Sequence, residues 1–434
     1  MKVLIFGECP YIPSSFGKVT YYIASGLADA GHRVAVSCPA GTTTLFSKGL
    51  VWRPSDSCIN VAEDNKDIYC ERRLSGRPIV VYPHPPADDV KRFVRDVFQP
   101  DVVLVYGTPY TPLTNAVLKE LAHEIPVAGY FVSESLILPP AYTLQASNAT
   151  VFASPTVFTM KTFTSSLRVD WGIPDSVLSD RVRVIPHGID LDFYSRENAE
   201  NVTPALEHTS FTFGFFAKNH IRKDVAVLLR AYADMHVSLI DRSRLFIALV
   251  KGAGGDDYWK LDVLTQTAAI EAGLETDYLL SHVFFLDDFT SGMGLTEWQV
   301  LRIYLSLDAF VFPSAGESFG LPPLEAAALG IPLIVSDHPA LREVWGEVLP
   351  KDLIVPVTPY LVNEALMLVK PDVHALTSAM SLLMLNDKLR EEVAERVRSH
   401  ALNYPLSLMV SGIEKLLKLA INIGPEPISS RGKK

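Results

Sequence analysis

The chain has 434 residues, 48% of them hydrophobic and 20% charged, with a formal net charge of -10. That length exceeds one ordinary hydrophobic core and predicts two or three domains, and the apolar content with a positive mean hydropathy excludes extensive disorder. The acidic balance excludes a general nucleic-acid binder, which needs a basic surface to displace counterions from phosphates.

The start, MKVLIFGECPYIP, reads as a first strand over Lys2 to Phe6, because it lacks the long apolar core and small-residue cleavage site of a secretion signal. Apolar positions at Val19, Tyr22, Ile23, Leu27 and Ala30 predict a helix over Gly17 to Ala30. Gly31 can stop that helix before a strand over Arg33 to Cys38, which makes a βαβ unit. Asp101 to Tyr106, Val127 to Val132 and Val151 to Ala153 are further short apolar strands, with a helix-like stretch at Leu113 to His123. A parallel sheet covered by helices accounts for that alternation.

Near Asp170 the texture changes to glycine, prolines and turn residues around a strand at Val182 to Ile185, which places a domain junction there. A second alternating series follows: strands at Phe211 to Phe216, Leu245 to Val250, Val283 to Leu286, Ala309 to Phe312 and Pro332 to Val335, and helices over Asp224 to Met235 and Pro322 to Leu329. The predicted division is residues 1–185, residues 186–400, and a C-terminal helix within 401–434 that can cross back. The last hundred residues read as mainly helical, and the tail GPEPISSRGKK, without a hydrophobic face, as disordered.

Cys9, Cys38, Cys58 and Cys70 show no Cys-x-x-Cys spacing, so neither a zinc site nor a disulfide framework is signalled and a reducing, cytoplasmic compartment is expected. No run approaches the roughly 18 apolar residues of a membrane span. The sequons at Asn148 and Asn201 are read as chance matches.

The chemistry is concentrated in PSAGESFGLPPLEAAALGIPLIVSD, where a strand ends near Pro313 and a loop leads into a helix opened by Pro322 and Pro323. Seven residues separate Glu317 from Glu325. Unpaired backbone N–H groups before a helix, at the positive end of its dipole, suit a diphosphate. Gly320 lets the backbone approach phosphate oxygens, and Glu325, read as lying in the first helical turn, can accept hydrogen bonds from ribose hydroxyls. Glu317 in the loop would reach a sugar. The bland alternative makes Glu317 a loop residue and Glu325 an acid complementing the helix dipole.

This segment resembles the E-x7-E motif of retaining GT-B glycosyltransferases, in particular the large family 4, the glycosyl transferases group 1. GFFAKNHIRKDVAVLLRAYADM resembles the family's strand-loop-helix that supplies two cations to the donor diphosphate, with Lys218 and Lys223 at the matching positions. Lys218 departs from the usual arginine and lacks its bidentate fork; a solvated helix start is the plain alternative. PSSFGKVTYYIASGLADAGHRVAV resembles the family's first glycine-rich loop, with the Gly17 N–H approaching phosphate and Phe16 in place of a second glycine. YFVSESLILPP places Glu134 where many members carry histidine; it reads either as a group orienting acceptor or sugar or as a surface carboxylate. His187 in VIPHGID reads as a turn former before catalysis. KGAGGDD at Lys251 to Asp257 reads as a rim loop, and the pair Asp287 and Asp288 is left out of the phosphate chemistry.

The resemblance implies an α/β fold of the GT-B type, two Rossmann-like, doubly wound parallel-sheet domains facing across a cleft. It implies transfer of a hexosyl unit from a UDP- or GDP-sugar to an acceptor hydroxyl with retention, without cofactor or metal. Lys218 and Lys223 would stabilise the leaving diphosphate with help from Gly17 and the loop Ser318, Phe319, Gly320 and Leu321; Glu317 would hold the sugar and Glu325 the ribose. The acceptor, whether sugar, lipid or protein, stays open, as does peripheral membrane contact, and no nucleic-acid partner is expected. The rivals are a non-catalytic nucleotide-sugar sensor and a GT-B epimerase or phosphorylase. A dinucleotide dehydrogenase is disfavoured because FGECPYIPSSFGK is not Gly-x-Gly-x-x-Gly.

Overall fold

The computed structural model describes residues 1–10, 12, 14–38, 50–52, 79–200, 202–206, 209–250, 259–286, 295 and 297–432. The segment 251–257, Asp287 and Asp288, the Asn201 sequon, Cys58 and Cys70 lie outside them. The chain divides into two compact units: Met1–Ser133, Ile137–Gly188 and Leu406–Lys434 form one, and Glu134–Leu136 with Ile189–Pro405 form the other.

The first unit is built on β1 (Lys2–Phe6), β2 (Arg33–Cys38), β3 (Leu50–Trp52), β4 (Ile79–Pro83), β5 (Val102–Gly107), β6 (Val127–Phe131), β7 (Val151–Ser154) and β8 (Val182–Val184). Their order is β3-β4-β2-β1-β5-β6-β7-β8, all parallel except β3, which pairs antiparallel with β4 at the edge. Strands buried on both faces must be apolar throughout rather than alternating. VVLVYG in β5 and VAGYF in β6 are accordingly buried at every position.

The second unit contains β9 (Phe211–Lys218), β10 (Ser243–Val250), β11 (Val283–Phe285), β12 (Ala309–Phe312), β13 (Leu333–Ser336) and β14 (Ile354–Val355), parallel in the order β11-β10-β9-β12-β13-β14. In chain order that is 3-2-1-4-5-6, the doubly wound arrangement whose winding reverses between its first and fourth strands, here β9 and β12. The two-domain, doubly wound α/β expectation is met in both units.

Two expectations need correction, and one element was not foreseen. The C-terminal region is mainly helical as read, but β15 (Val357–Asn363) and β16 (Leu366–Pro371) form an antiparallel hairpin within it. Its two-residue turn, Glu364–Ala365, lacks the Asn-Gly or Asp-Gly chemistry that announces hairpins; Asn363 Oδ1 instead accepts from the Ala365 N–H at 2.9 Å. The tail is ordered through residue 432: Ile428 is fully buried in the first unit's core, and the N–H groups of Ile428 and Ser429 donate to the carbonyls of Ala149 and Ser147, both at 2.9 Å. A single apolar residue anchored by two backbone bonds leaves no periodic trace. Finally, Cys9 and Cys38 form a disulfide with Cα atoms 4.9 Å apart. They lie after β1 and at the end of β2, which are adjacent parallel strands, so the sheet rather than sequence spacing makes the pair. The cysteines therefore give no support to a reducing compartment.

The helix Leu406–Ile423 packs in the first unit against the helix Ser15–Asp29, with Val410 close over Gly26 and Glu414 3.2 Å from His32. Among the described residues no helix is long and apolar enough to cross a membrane.

Candidate functional site

Doubly wound sheets bind ligands outside the carboxyl ends of the strands where the winding reverses. In the second unit that point is defined by the end of β9 at Lys218 and the end of β12 at Phe312. Two segments start there: a one-turn 3-10 helix, Ile221–Lys223, and the loop 313–320.

The 3-10 turn is pinned on both sides. Asn219 exchanges two bonds with the main chain of Trp259, at 2.9 Å each, and the Trp259 Nε1–H donates to the His220 carbonyl at 2.9 Å. Asp224 then leaves the turn with φ +42°, a left-handed conformation that costs a non-glycine residue on the order of 1 kcal/mol. The loop after β12 is tied to the same turn, because the Arg222 carbonyl accepts from the Ala315 N–H at 2.7 Å and from Ser314 Oγ at 3.0 Å.

Those constraints deliver two cations to one carboxylate. Glu317 Oε1 accepts from Lys223 Nζ, from Arg222 Nη1 at 3.1 Å and from Ser314 Oγ at 2.7 Å. Lys223 and Glu317 are 5% and 6% exposed, so the pair is desolvated, and the ammonium also sits 4.8 Å from the centre of the Phe312 ring. Burial, reinforced by the Arg222 charge and opposed by Glu317, pushes Lys223 down to about 8. Burial acts to raise the Glu317 carboxyl, but Lys223 and Arg222 outweigh it and hold the group below its ordinary value.

Glu134 joins this cluster. Its carboxylate lies 3.4 Å from Arg222 Nη2, and its segment is clamped to the hairpin: the Leu136 N–H donates to the Met367 carbonyl at 2.9 Å and the Met367 N–H donates to Ser135 Oγ at 2.9 Å. The Val369 N–H in turn donates to the Ala315 carbonyl at 2.9 Å. Gly316 is where these pieces meet, since a Cβ there would stand 2.7 Å from Leu368 Cδ2 and 2.8 Å from the Glu134 carbonyl oxygen.

The helix Leu321–Ala328 begins after Gly320, whose φ of +96° favours glycine and whose Cβ would meet Leu341 at 2.8 Å. Its second and third residues are Pro322 and Pro323, so among its first four positions only Leu321 and Leu324 carry an N–H. Glu325 is the fifth residue and lies in the second turn, not the first. It is 2% exposed and accepts from Tyr304 Oη at 3.0 Å. Of the loop residues singled out, Ser318 is half-buried, while Phe319 is buried with its ring 5.6 Å from that of Tyr404.

Lys218 is exposed at the end of β9, and among the described residues Glu317 is paired with Arg222 and Lys223 instead. Gly17 belongs to the first unit. A Cβ there would stand 2.2 Å from the Ile12 carbonyl oxygen and 2.8 Å from that of Cys9, and its N–H donates to Ser14 Oγ at 2.9 Å, capping the helix. Close packing is a second reason for glycine here, and in this structure the cap uses the N–H. His187 is buried, with Nδ1 2.7 Å from Tyr130 Oη, which itself donates to the Ile185 carbonyl at 2.8 Å. Burial pushes this imidazole down to about 3, leaving a neutral ring built into the core. Sequence reasoning missed Arg222, Ser314 and Tyr304. The adjacent Arg-Lys pair was a visible signal for the first, but neighbours diverge on an α-helix and on a 3-10 turn alike, and both reach Glu317 in the loop that is bonded to the Arg222 carbonyl.

Among the described residues no group of three or more His, Cys, Asp or Glu is placed to hold a metal ion.

Residues 293–400 match the family described as Glycosyl transferases group 1, a span that includes the loop and helix bearing Glu317 and Glu325. The chain is similar to the O-antigen chain mannosyltransferase B of Escherichia coli, 27% identical over 173 residues, covering 39% of this chain and 40% of that protein. It is also similar to the D-inositol 3-phosphate glycosyltransferase of Corynebacterium jeikeium, 24% identical over 246 residues, covering 54% of this chain and 51% of that one. The matches thus span about half or less of these relatives' lengths, and both relatives are glycosyltransferases. In fold the chain is similar to Anabaena HepE, solved in complex with UDP and glucose, with a TM-score of 0.63 and 16% identity over 96% of this chain and 99% of that one. That likeness speaks to the fold, which is of the GT-B class.

Proposed function

We propose that the protein is a nucleotide-sugar-dependent hexosyltransferase, moving a sugar from a UDP- or GDP-linked donor to an acceptor hydroxyl with retention of anomeric configuration. The observation that carries this reading is the Lys223–Glu317 pair, buried at the winding reversal of the second unit beside the helix that bears Glu325. The matched family segment and the UDP and glucose bound by a structural neighbour support it.

Each group has a task set by its chemistry. Lys223 places a desolvated positive charge where the leaving diphosphate gains negative charge, an arrangement worth more in a dry site than in water. Backbone amides around Ser318 to Leu321 add donors, and Lys218, exposed at the end of β9, adds longer-range positive charge. Glu317 accepts hydrogen bonds from sugar hydroxyls once Lys223 turns to phosphate. Glu325, already oriented by Tyr304, accepts from the ribose.

The test is a thermal-shift panel of nucleoside diphosphates followed by turnover of the linked sugars. UDP or GDP stabilises the protein and the matching sugar nucleotide is slowly hydrolysed. Glu325→Ala weakens nucleotide binding, whereas Glu317→Ala lowers turnover more than affinity. A protein stabilised by no nucleoside diphosphate overturns the proposal, and binding without turnover against any acceptor makes it a sensor.

A further inference from the structure

Among the described residues, the cations Arg222 and Lys223 face the carboxylates Glu134 and Glu317. A diphosphate that draws on either of these two cations must take it from a carboxylate. Lys223 is the more buried of the two, with its side chain 6% exposed against 17% for Arg222. Arg222 is therefore the cation that an arriving ligand reaches more readily, and its guanidinium can present a flat pair of donors to phosphate oxygens.

The main chains on both sides are fixed. Arg222 is held through its carbonyl by Ala315 and Ser314, and Glu134 through Ser135 and Leu136 on the hairpin. The side chains alone can redistribute, so Glu134 stays beside Arg222 and competes with any anion for it.

We propose that Arg222 is a diphosphate ligand of the donor site and that Glu134 is its resident counter-ion, which sets how tightly the nucleotide is held. This rests on the nucleotide-sugar reading above and deepens it. It moves Glu134 from a substrate contact to a positioning residue acting through Arg222. A carboxylate retained beside a leaving diphosphate lowers product affinity and so favours release, which fits an enzyme that must discharge a nucleoside diphosphate at every turnover.

The experiment is calorimetric titration of the full chain with UDP and with GDP at about 0.15 M ionic strength, where screening is moderate. The proteins compared are wild type, Arg222→Gln, Arg222→Lys, Glu134→Gln and the double variant Arg222→Gln/Glu134→Gln. Arg222→Gln weakens the bound nucleotide about tenfold or more and Arg222→Lys recovers part of that, as expected for a charged phosphate ligand. Glu134→Gln tightens binding roughly threefold to tenfold, and the tightening disappears in the double variant, as a coupled pair requires. If Arg222→Gln fails to fold, the opposite shifts of Glu134→Gln and Arg222→Lys decide the matter. Affinity for Arg222→Gln within about twofold of wild type, or weaker binding by Glu134→Gln, overturns the assignment while leaving the donor site in place. A wild-type protein that binds neither UDP nor GDP overturns the underlying function, and this inference with it.

Discussion

Replacing Lys223 with methionine keeps most of the side chain's volume and removes its charge, which strands Glu317. That carboxylate is 6% exposed and, among the described residues, keeps Arg222 and Ser314 as partners. Breaking a buried ion pair by deleting one partner costs about 3–5 kcal/mol, and the two surviving bonds argue for the lower end, about 3 kcal/mol. Adding Glu317→Gln removes the stranded charge while the amide can still bond Ser314, so the double variant recovers at least half of that loss. The sign of the pH dependence follows. In wild type Glu317 is held below its ordinary value, so its contribution is present above the ordinary carboxylate range and lost as the pH falls through the lowered folded value. In Lys223→Met burial loses its largest opponent, the carboxyl rises, and the stability deficit shrinks as acidification protonates it. Urea denaturation followed by fluorescence reads the cycle, with Trp345 fully buried in the same unit. A single-variant cost below about 1 kcal/mol, or a double variant no more stable than Lys223→Met, would refute the picture of a desolvated, mutually dependent pair.

Nucleotide affinity should depend on pH through the same lysine. With Lys223 at about 8 in the free protein, affinity for UDP or GDP is flat at neutral pH, falls by up to about tenfold per unit above that value and levels off above the lysine's higher value in the bound state; a flat titration to about pH 10 removes Lys223 from the ligand set. Gly17→Ala places a methyl 2.2 Å from the Ile12 carbonyl oxygen, and backbone overlap of that kind costs about 1–3 kcal/mol. Thermal unfolding measures it, and an unchanged midpoint would mean that the loop yields without penalty.

Much of the fold was legible because parallel strands between helix layers must be apolar along their whole length. The strands at Lys2–Phe6, Arg33–Cys38 and Ala309–Phe312 were read to the residue from short, mostly apolar runs. The hairpin Val357–Pro371 was not, because its outer strand is largely exposed and its turn lacks the residues that mark tight turns. The anchored tail at Ile428 and the Cys9–Cys38 bond escaped for a related reason: each depends on a partner far along the chain.

The site divides in the same way. Local pattern was enough to draw attention to Glu317 and Glu325, since a loop and a helix start each carry their own short-range chemistry, while Lys218 and Lys223 came from the family resemblance. Which cation meets which carboxylate was a tertiary matter. It required the winding reversal to bring β9 and β12 side by side, the loop after β12 to be tied to the Arg222 carbonyl so that Glu317 meets both cations, and a hairpin to hold Glu134 by Arg222. Residue types and local periodicity are properties of neighbours along the chain; desolvation and charge pairing are properties of neighbours in space, and only the folded sheet sets those.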